Sequence, residues 1–361
     1  MTLNEGWEDR LSALFRGWKD EEGVTELYAT LAQAIAGDRQ MLSLYETIEP
    51  AKHRPVTLFA AVHYLVLRGT GHPLGRIYEV PEARGALEEA PEAFRSFCTE
   101  RYDDIVRVMS DRTIQTNEVN RCSGLLPAFM KIHRDSGREL GLIEMGASAG
   151  LNLLFDRYRY DYGNGVIIGQ PGAAVRCHTE IRGRSPILDT TTPPVEFRMG
   201  LDLDPVDINN ENEVLWLRAC TWAGDDLRSR RLTAALELAR REWISVREGN
   251  AIDLVSDAVD SVPDHLEVVL FNSWMMGWLS EADRKRLSSV VASIGRERPL
   301  WWVTYEWPSK VPAFASEADK SNASLLGLQR VTSDGVEATA LADLGHHGTW
   351  IHWRDEASLA Q

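Results

Sequence analysis

The chain has 361 residues, of which 44% are hydrophobic and 26% charged, and its formal net charge is −15. This length suits a core domain with a second lobe, and the negative charge argues against a broad nucleic-acid surface. No apolar run approaches the roughly 20 residues that span a bilayer, and residues 1–10 lack the apolar core of a signal peptide. The four cysteines form no C-x-x-C pair, so we expect a cytoplasmic protein with reduced thiols and no metal site. From the negative charge and the lack of a long apolar run, we expect no nucleic-acid and no membrane partner.

Residues 1–135 predict a helical N-terminal domain. Apolar side chains recur there at helical spacing, for example at Leu27, Leu31 and Ile35. Residues 56–67 are apolar on nearly all sides, which predicts a buried helix. His63 lies inside this helix, and we expect a hydrogen-bonded core histidine rather than a catalytic one.

Residues 112–121 are unusually polar for a segment between apolar helices. One interpretation is a helix start that Thr116 or Asn117 caps, with the other polar groups in solvent. On helical spacing, Asn117, Asn120 and Arg121 then share one face. The other interpretation is one wall of a ligand site, in which polar side chains contact the substrate: Arg112, Gln115, Asn117, Glu118 and Arg121. An arginine there is suited to pair a carboxylate in a two-pronged geometry.

Residues 136–361 alternate predicted strands and helices, which indicates an α/β domain with a doubly wound sheet. The first core strand begins at Leu140, and the others are 196–201, 243–248, 266–271 and 300–305, with helices at 216–241 and 281–294. Residues of about 156–195 form an insertion with short strands at 166–168 and 174–178. At the end of the chain, 326–332 is expected to pair with 349–353 as a hairpin, with 336–341 as a further segment.

The first core strand leads into residues 146–150, Gly-Ala-Ser-Ala-Gly, which we call the glycine turn. Its two glycines permit strained backbone angles and close approach to a ligand, and a helix is expected directly after it. With the preceding Glu144, the segment has the pattern E-x-G-x-S-x-G, which suits a nucleotide-type site. Without Glu144, the pattern is G-x-S-x-G, which suits a hydrolase with Ser148 as nucleophile.

The first pattern resembles the glycine-rich turn of class I S-adenosylmethionine-dependent methyltransferases, with Ser148 in place of the usual middle glycine. G-L-D-L-D-P at 200–205, G-N-A-I-D-L at 249–254 and N-S-W at 272–274 resemble later motifs of that fold in the same order. The resemblance implies a Rossmann-like, methyltransferase-like sheet. It also implies an enzyme that binds S-adenosylmethionine and methylates a small molecule.

The same resemblance assigns residues to the site. An acid after the second strand of such sheets bonds a ribose hydroxyl, which is the expected role of Asp202. Asn272 is expected to orient an acceptor amine, and Glu306 to take a proton. The residues expected to bind the cofactor are Glu144, Gly146, Ser148, Gly150, Asn152, Asp202, Asn250 and Ala251.

Two alternatives stay open. The second pattern resembles esterases with G-x-S-A-G-x-N-L, and acids and histidines follow Ser148 in the order of that fold. However, about 130 mainly helical residues precede the turn, and no H-G-G-G loop is visible. The other alternative is a non-catalytic nucleoside-binding or interaction protein, because Ser148 and Asn250 depart from the methyltransferase pattern.

Four longer motifs resemble one bacterial family that is known only as a domain of unknown function. They are R-x-x-Q-T-N-E-V-x-R, E-M-G-A-S-A-G-L-N-L, D-R-Y-x-Y-x-Y-G and G-L-D-L-x-P-V-D. The resemblance covers nearly the whole chain and implies a shared fold without an assigned activity. The sequence leaves the substrate and the oligomeric state open.

Overall fold

A computed structural model of the protein describes residues 6–19 and 23–354. The ends of the two predicted domains, residues 1–5 and 355–361, lie outside the described residues. The helices are α1 (Trp7–Trp18), α2 (Glu26–Ala36), α3 (Arg39–Leu42), α4 (Pro55–Leu67), α5 (Pro73–Glu79), α6 (Ala86–Glu100), α7 (Tyr102–Asp111), α8 (Cys122–Ser136), α9 (Glu211–Ala219), α10 (Asp226–Glu242), α11 (Ala251–Asp260) and α12 (Glu281–Glu297). The strands are β1 (Leu140–Met145), β2 (Arg159–Asp161), β3 (Ile167–Ile168), β4 (Arg176–His178), β5 (Glu180–Ile181), β6 (Val195–Asp202), β7 (Val246–Glu248), β8 (Glu267–Ser273), β9 (Leu300–Glu306), β10 (Ser324–Thr332), β11 (Gly335–Leu344) and β12 (Trp350–Trp353).

Chain contacts divide the protein into two units. The helical unit comprises residues up to 116 together with 209–230, and the sheet unit comprises 117–208 together with 231 onward. The predicted boundary at 135–136 lies elsewhere, because α8 packs against β9 and β10 whereas α9 packs against α4. Within residues 6–19 and 23–354, no helix combines the length and the apolar character that crossing a membrane requires.

In the helical unit, α4 is apolar on nearly every side and is therefore buried. Pro55 lies in its first turn, where the missing N–H has no helical partner to lose. His63 Nδ1 lies 3.1 Å from the carbonyl oxygen of Ala219, and burial lowers the pKa of His63 to about 4. The predictions of a buried helix and of a core histidine are both confirmed.

The predicted helix at 216–241 is wrong, because α9 ends at Ala219 and α10 begins only at Asp226. Gly224 lies between them with a φ of +81°, which favours glycine. A Cβ atom at Gly224 would lie 2.6 Å from Pro81 Cγ. The chain turns at this residue for a reason that the hydrophobic periodicity does not reveal.

Among the described residues, the main sheet of the sheet unit has the order β5-β12-β11-β10-β9-β8-β1-β6-β7. The neighbouring strands β9, β8, β1, β6 and β7 are parallel to one another. Strands β10, β11 and β12 extend the sheet beyond β9 in antiparallel pairs. The chain passes from β1 to β6 and β7 on one side, and then to β8 and β9 on the other. The protein is therefore a mixed α/β protein with a large, mostly parallel central sheet, whose order reverses at β1.

Helices cover both faces of this sheet. Beside α11 and α12, Ile143 of β1 and Leu270 of β8 belong to one buried apolar cluster. On the other face, the ring of Phe129 in α8 contacts the ring of Phe271, with centroids 5.3 Å apart. Every residue of β1 is buried, as expected for a central parallel strand between two helical layers.

The predicted hairpin between 326–332 and 349–353 is wrong, because β10 and β12 each pair with β11. The segment 336–341 is thus part of the middle strand of a meander. A tight turn before Gly335, whose φ is +131°, brings β11 directly beside β10. From the predicted insertion, β2, β3 and β4 form a separate small sheet in the order β3-β2-β4.

Candidate functional site

The glycine turn follows β1 directly and lies at the carboxyl edge of the parallel strands. Positive φ angles occur at Gly146 (+75°), Ser148 (+52°) and Gly150 (+71°). The Gly146 N–H donates to the carbonyl oxygen of Leu201 at 2.8 Å, and the Ser148 N–H donates to Asp202 Oδ2 at 2.7 Å. The end of β6 therefore fixes the turn, and Ser148 adopts a conformation that is uncommon for a residue with a side chain.

Both glycines are also required by packing against the protein itself. A Cβ atom at Gly146 would lie 2.5 Å from Met275 Cγ, and one at Gly150 would lie 2.9 Å from Ile244 Cγ2. The α-helix expected after the turn is instead a 3-10 helix, Leu151–Arg157. So short a 3-10 helix lacks the aligned backbone dipoles of the longer α-helix that we expected there.

Glu144, near the end of β1, is almost completely buried. Its Oε1 accepts a hydrogen bond from Asn152 Nδ2 at 2.9 Å, and Cys122 Sγ lies 3.4 Å from Asn152 Oδ1. Burial raises the pKa of Glu144 to about 8, although the bond from Asn152 acts in the opposite direction. Glu144 Oε2 and the hydroxyl of Ser148 have no hydrogen-bond partner among the described residues. Two buried oxygens beside the glycine turn are thus left for a ligand or water.

Asp202 and Asn250 serve the backbone of the site. Asp202 Oδ2 accepts from Ser148, and its Oδ1 accepts from the N–H of Asp204 at 2.9 Å. Asn250 caps α11, because its Oδ1 accepts from the N–H of Ile252 at 3.0 Å. Ala251 is the first residue of α11, so the motif after β7 lies at the same edge of the sheet as the glycine turn.

Asn272 and Glu306 are hydrogen-bonded to each other. Asn272 Nδ2 donates to Glu306 Oε1 at 2.7 Å, and Asn272 Oδ1 accepts from the indole N–H of Trp302 at 2.7 Å. Glu306 Oε1 also accepts from the backbone N–H groups of Met275 and Met276, at 2.7 and 3.0 Å. Burial raises the pKa of Glu306 to about 7, and its hydrogen bonds and the charge of Arg121 oppose this rise.

An aromatic cluster that the sequence analysis missed lies at the same edge. Trp274 directly follows β8 with a φ of +60°, Trp307 directly follows β9, and His346 lies between β11 and β12. The Trp307 and His346 rings are 4.3 Å apart, and the Trp274 ring is 5.1 Å from His346. The signals were the tryptophans that follow two adjacent predicted strands, but no motif marked them as a group.

Residues 112–121 do not form the predicted helix. They run as extended chain into a 3-10 helix, Val119–Arg121, and Glu118 rather than Thr116 or Asn117 supplies the cap. The regular helix begins only at Cys122. The prediction that Asn117, Asn120 and Arg121 share one face of a helix is therefore wrong, because these residues do not follow α-helical spacing.

Arg112 and Gln115 belong to the helical unit, whereas Asn117, Glu118 and Arg121 belong to the sheet unit. The Arg112 guanidinium lies 5.6 Å from the ring centre of Tyr64 and 5.9 Å from that of Trp216, and Gln115 is buried. Glu118 Oε1 lies 3.6 Å from an amino group of Arg231. The five predicted substrate residues are thus divided between the two units.

The remaining residues of this segment hold backbone turns. Asn117 Oδ1 accepts from the N–H of Leu151, just after the glycine turn, at 3.1 Å. Asn120 Nδ2 donates to the carbonyl groups of His178, His347 and Gly348. Arg121 Nε donates to the carbonyl of His346 at 2.9 Å, and its guanidinium lies 4.9 Å from the Trp274 ring centre. The polar groups are therefore bound to protein and not merely solvated.

The fold and the site define the protein as a mixed α/β protein with a polar and aromatic site at the carboxyl edge of a mostly parallel sheet. The chain belongs to a family of uncharacterized proteins conserved in bacteria (DUF2332), whose family model matches residues 14–353. The resemblance to a bacterial family of unknown function is thus confirmed. No curated protein and no solved structure matches the chain. Within residues 6–19 and 23–354, no group of three or more His, Cys, Asp or Glu side chains is arranged to hold a metal ion.

Proposed function

We propose that the protein binds S-adenosylmethionine at the carboxyl edge of β1, β6 and β8 and transfers its methyl group to a small molecule. One observation carries the proposal: the glycine turn follows the strand at which the sheet order reverses. Ligands of open α/β sheets bind in the crevice at this point. The order of the parallel strands and the motifs at their ends together support a methyltransferase-like, Rossmann-like sheet over other α/β arrangements.

The side chains around the turn fit a polar nucleoside ligand. Glu144 Oε2 and the Ser148 hydroxyl are buried without partners, and each oxygen accepts at least one further hydrogen bond. The carboxylate of Asp202 accepts two backbone bonds and keeps lone pairs for a ribose hydroxyl. The turn at Asn250 and Ala251 borders the expected adenine position.

S-adenosylmethionine supplies an electrophilic methyl group, so the protein's task is mainly to position the acceptor. Glu306 takes the proton that an acceptor hydroxyl or amine loses, and burial has raised its pKa to about 7, which suits that task at neutral pH. Both polar groups of Asn272 are already bonded, to Trp302 and to Glu306. We therefore assign Asn272 to positioning Glu306 rather than to an acceptor amine.

Isothermal titration calorimetry with S-adenosylmethionine and S-adenosylhomocysteine tests the proposal. We expect one site per chain, and we expect Glu144→Gln to weaken binding at least several-fold. Glu196→Gln is the matched control, because Glu196 lies at the amino end of β6 and is exposed. Absence of binding of both compounds by the unmodified protein would contradict the proposal. Binding without any methyl transfer would favour the non-catalytic nucleoside-binding protein.

A serine hydrolase is the second candidate, because Ser148 holds a φ of +52° on a strand-to-helix turn, as a nucleophile elbow requires. Its hydroxyl has no hydrogen-bond partner among the described residues, so no histidine base contacts it in this state. Labelling with a fluorophosphonate distinguishes the two candidates. Labelling of Ser148 that is lost in Ser148→Ala would favour the hydrolase over the methyltransferase.

A further inference from the structure

Trp274, Trp307 and His346, the aromatic cluster, are each half-buried and come from three different segments. The parallel strands β8 and β9 are adjacent, so Trp274 and Trp307 emerge at the same edge of the sheet, with ring centres 5.9 Å apart. Aromatic rings that remain partly accessible beside one another offer stacking surface to a flat ligand. The cluster lies beside Glu306, the last residue of β9, and therefore beside the proposed site of methyl transfer.

Hydrogen bonds fix the orientation of two of these rings, those of Trp274 and His346. The Trp274 indole N–H donates to Ser324 Oγ at 3.1 Å, and the same oxygen lies 2.9 Å from His346 Nδ1. The backbone N–H of Trp274 donates to the carbonyl of Tyr305 at 3.0 Å. Trp274 also has a φ of +60°, which is unusual for a bulky residue. Such a fixed wall binds a planar group with little further loss of side-chain freedom.

A positively charged side chain lies against the cluster, although the whole chain carries a net charge of −15. The Arg121 guanidinium lies over the Trp274 ring, and the Glu118 carboxylate lies 3.6 Å from an amino group of Arg231. Burial raises the pKa of both Glu144 and Glu306, so neither is fully ionised at neutral pH. An anionic group next to Arg121 is therefore favoured over a cationic one.

We propose that Trp274, Trp307, His346 and Arg121 form a subsite for a planar aromatic carboxylate, with its ring against Trp307 and His346 and its carboxylate beside Arg121. The subsite names the class of small molecule that would be methylated, and in this respect it rests on the proposed function. Binding of the aromatic carboxylate does not depend on methyl transfer. An arginine matches the planar shape of a carboxylate better than a lysine does.

Titration calorimetry with 2-naphthoate as the probe tests the subsite. Cyclohexanecarboxylate keeps the charge without a flat ring, and 2-naphthylmethylammonium keeps the ring with the opposite charge. Trp307→Leu is compared with Trp301→Leu, because Trp301 also lies against an arginine, Arg330, but at the amino end of β9. We expect 2-naphthoate to bind more tightly than either analogue. We also expect Trp307→Leu to weaken it roughly five- to tenfold, the range for loss of one stacked aromatic ring, and Trp301→Leu to leave it unchanged.

Each result of these titrations either supports or overturns the proposed subsite. No binding of 2-naphthoate, equal binding of cyclohexanecarboxylate, or equal weakening by the two tryptophan variants would each overturn the subsite. Circular dichroism of both variants verifies that they are folded before the titration. If S-adenosylmethionine binds and 2-naphthoate does not, the subsite fails and the proposed function survives. If 2-naphthoate binds as expected and S-adenosylmethionine does not, the proposed function fails and the subsite survives.

Discussion

Two buried carboxyl groups, Glu144 and Glu306, link the site to the stability of the protein. Burial raises their pKa values from 4.5 to about 8 and about 7, so the folded state holds protons that the unfolded chain has released. Their contribution to stability is full below pH 4.5 and is lost as pH rises through these folded values. His63 acts oppositely, because burial lowers its pKa from 6.5 to about 4 and stability falls as pH decreases through that interval.

We predict that Glu144→Gln flattens the pH dependence of the free energy of unfolding between pH 6.5 and 8, where His63 no longer contributes. The glutamine keeps an acceptor for Asn152 but cannot ionise. The expected difference across this interval is about 1–2 kcal/mol, measured by urea unfolding at several pH values. Glu281→Gln is the control, because a hydrogen bond from Lys285 lowers the pKa of Glu281. A slope in Glu144→Gln equal to that of the unmodified protein would show that Glu144 does not titrate there.

The glycine turn gives a second prediction, for Gly146→Ala. The alanine must adopt a φ of +75° and place its Cβ against Met275, so we expect a loss of about 2–4 kcal/mol from backbone strain and overpacking. Gly137→Ala is the matched control, because its φ is +66° but no atom lies within 4 Å of the added Cβ. Denaturant unfolding of both variants measures the difference. If both lose the same stability, packing against Met275 contributes nothing.

From the sequence, we attributed the turn's glycines to strained backbone angles and to close approach of a ligand; the structure adds packing against Met275 and Ile244. Residue types at the strand ends could be predicted, since Glu144, Asp202 and Asn272 all follow or end apolar runs. Their partners could not be predicted. Asn272 is bonded to Trp302 and Glu306, which are distant in sequence and come together only through the pairing of β8 with β9.

The polar segment 112–121 shows what the sequence reveals about an element and what it does not. Its polarity predicted groups that need partners, and the structure supplies them as backbone carbonyl and N–H groups of other segments. The helical geometry was wrong, because Glu118 caps a 3-10 helix and the earlier residues are extended. Hydrophobic periodicity does not reveal the conformation of such a segment, because its contacts are with residues far away in the sequence.

Asn120 provides the test at this scale. We predict that Asn120→Ala costs about 1–3 kcal/mol, because it removes the side-chain partner of the partly buried backbone groups of His178 and of the buried carbonyl of Gly348. Hydrogen exchange should increase first at β4 and at residues 345–350. Asn250→Ala, which removes the cap of α11, should cost about 1 kcal/mol and increase exchange in α11 instead. Unchanged exchange at 345–350 in Asn120→Ala would contradict the assigned role.

At the scale of the whole molecule, the order of motifs predicted the parallel half of the sheet better than the antiparallel half. Each early strand is followed by a helix or a loop with a recognisable end, so β1, β6, β7, β8 and β9 could be anticipated from alternation. The last strands are joined by short turns, and apolar runs alone do not specify which neighbours pair. Residues 117–135 and 209–230 each lie in the other unit from the one predicted for the same reason, because packing partners decide the division.

A crystal structure with bound S-adenosylhomocysteine tests whether the carboxyl edge of β1, β6 and β8 binds a nucleoside ligand. We expect electron density for the ligand beside the glycine turn, with its ribose hydroxyls at Asp202 and a polar group at Glu144 Oε2. Density for the ligand at any other part of the protein, or crystals soaked at saturating concentration that show none, would contradict it.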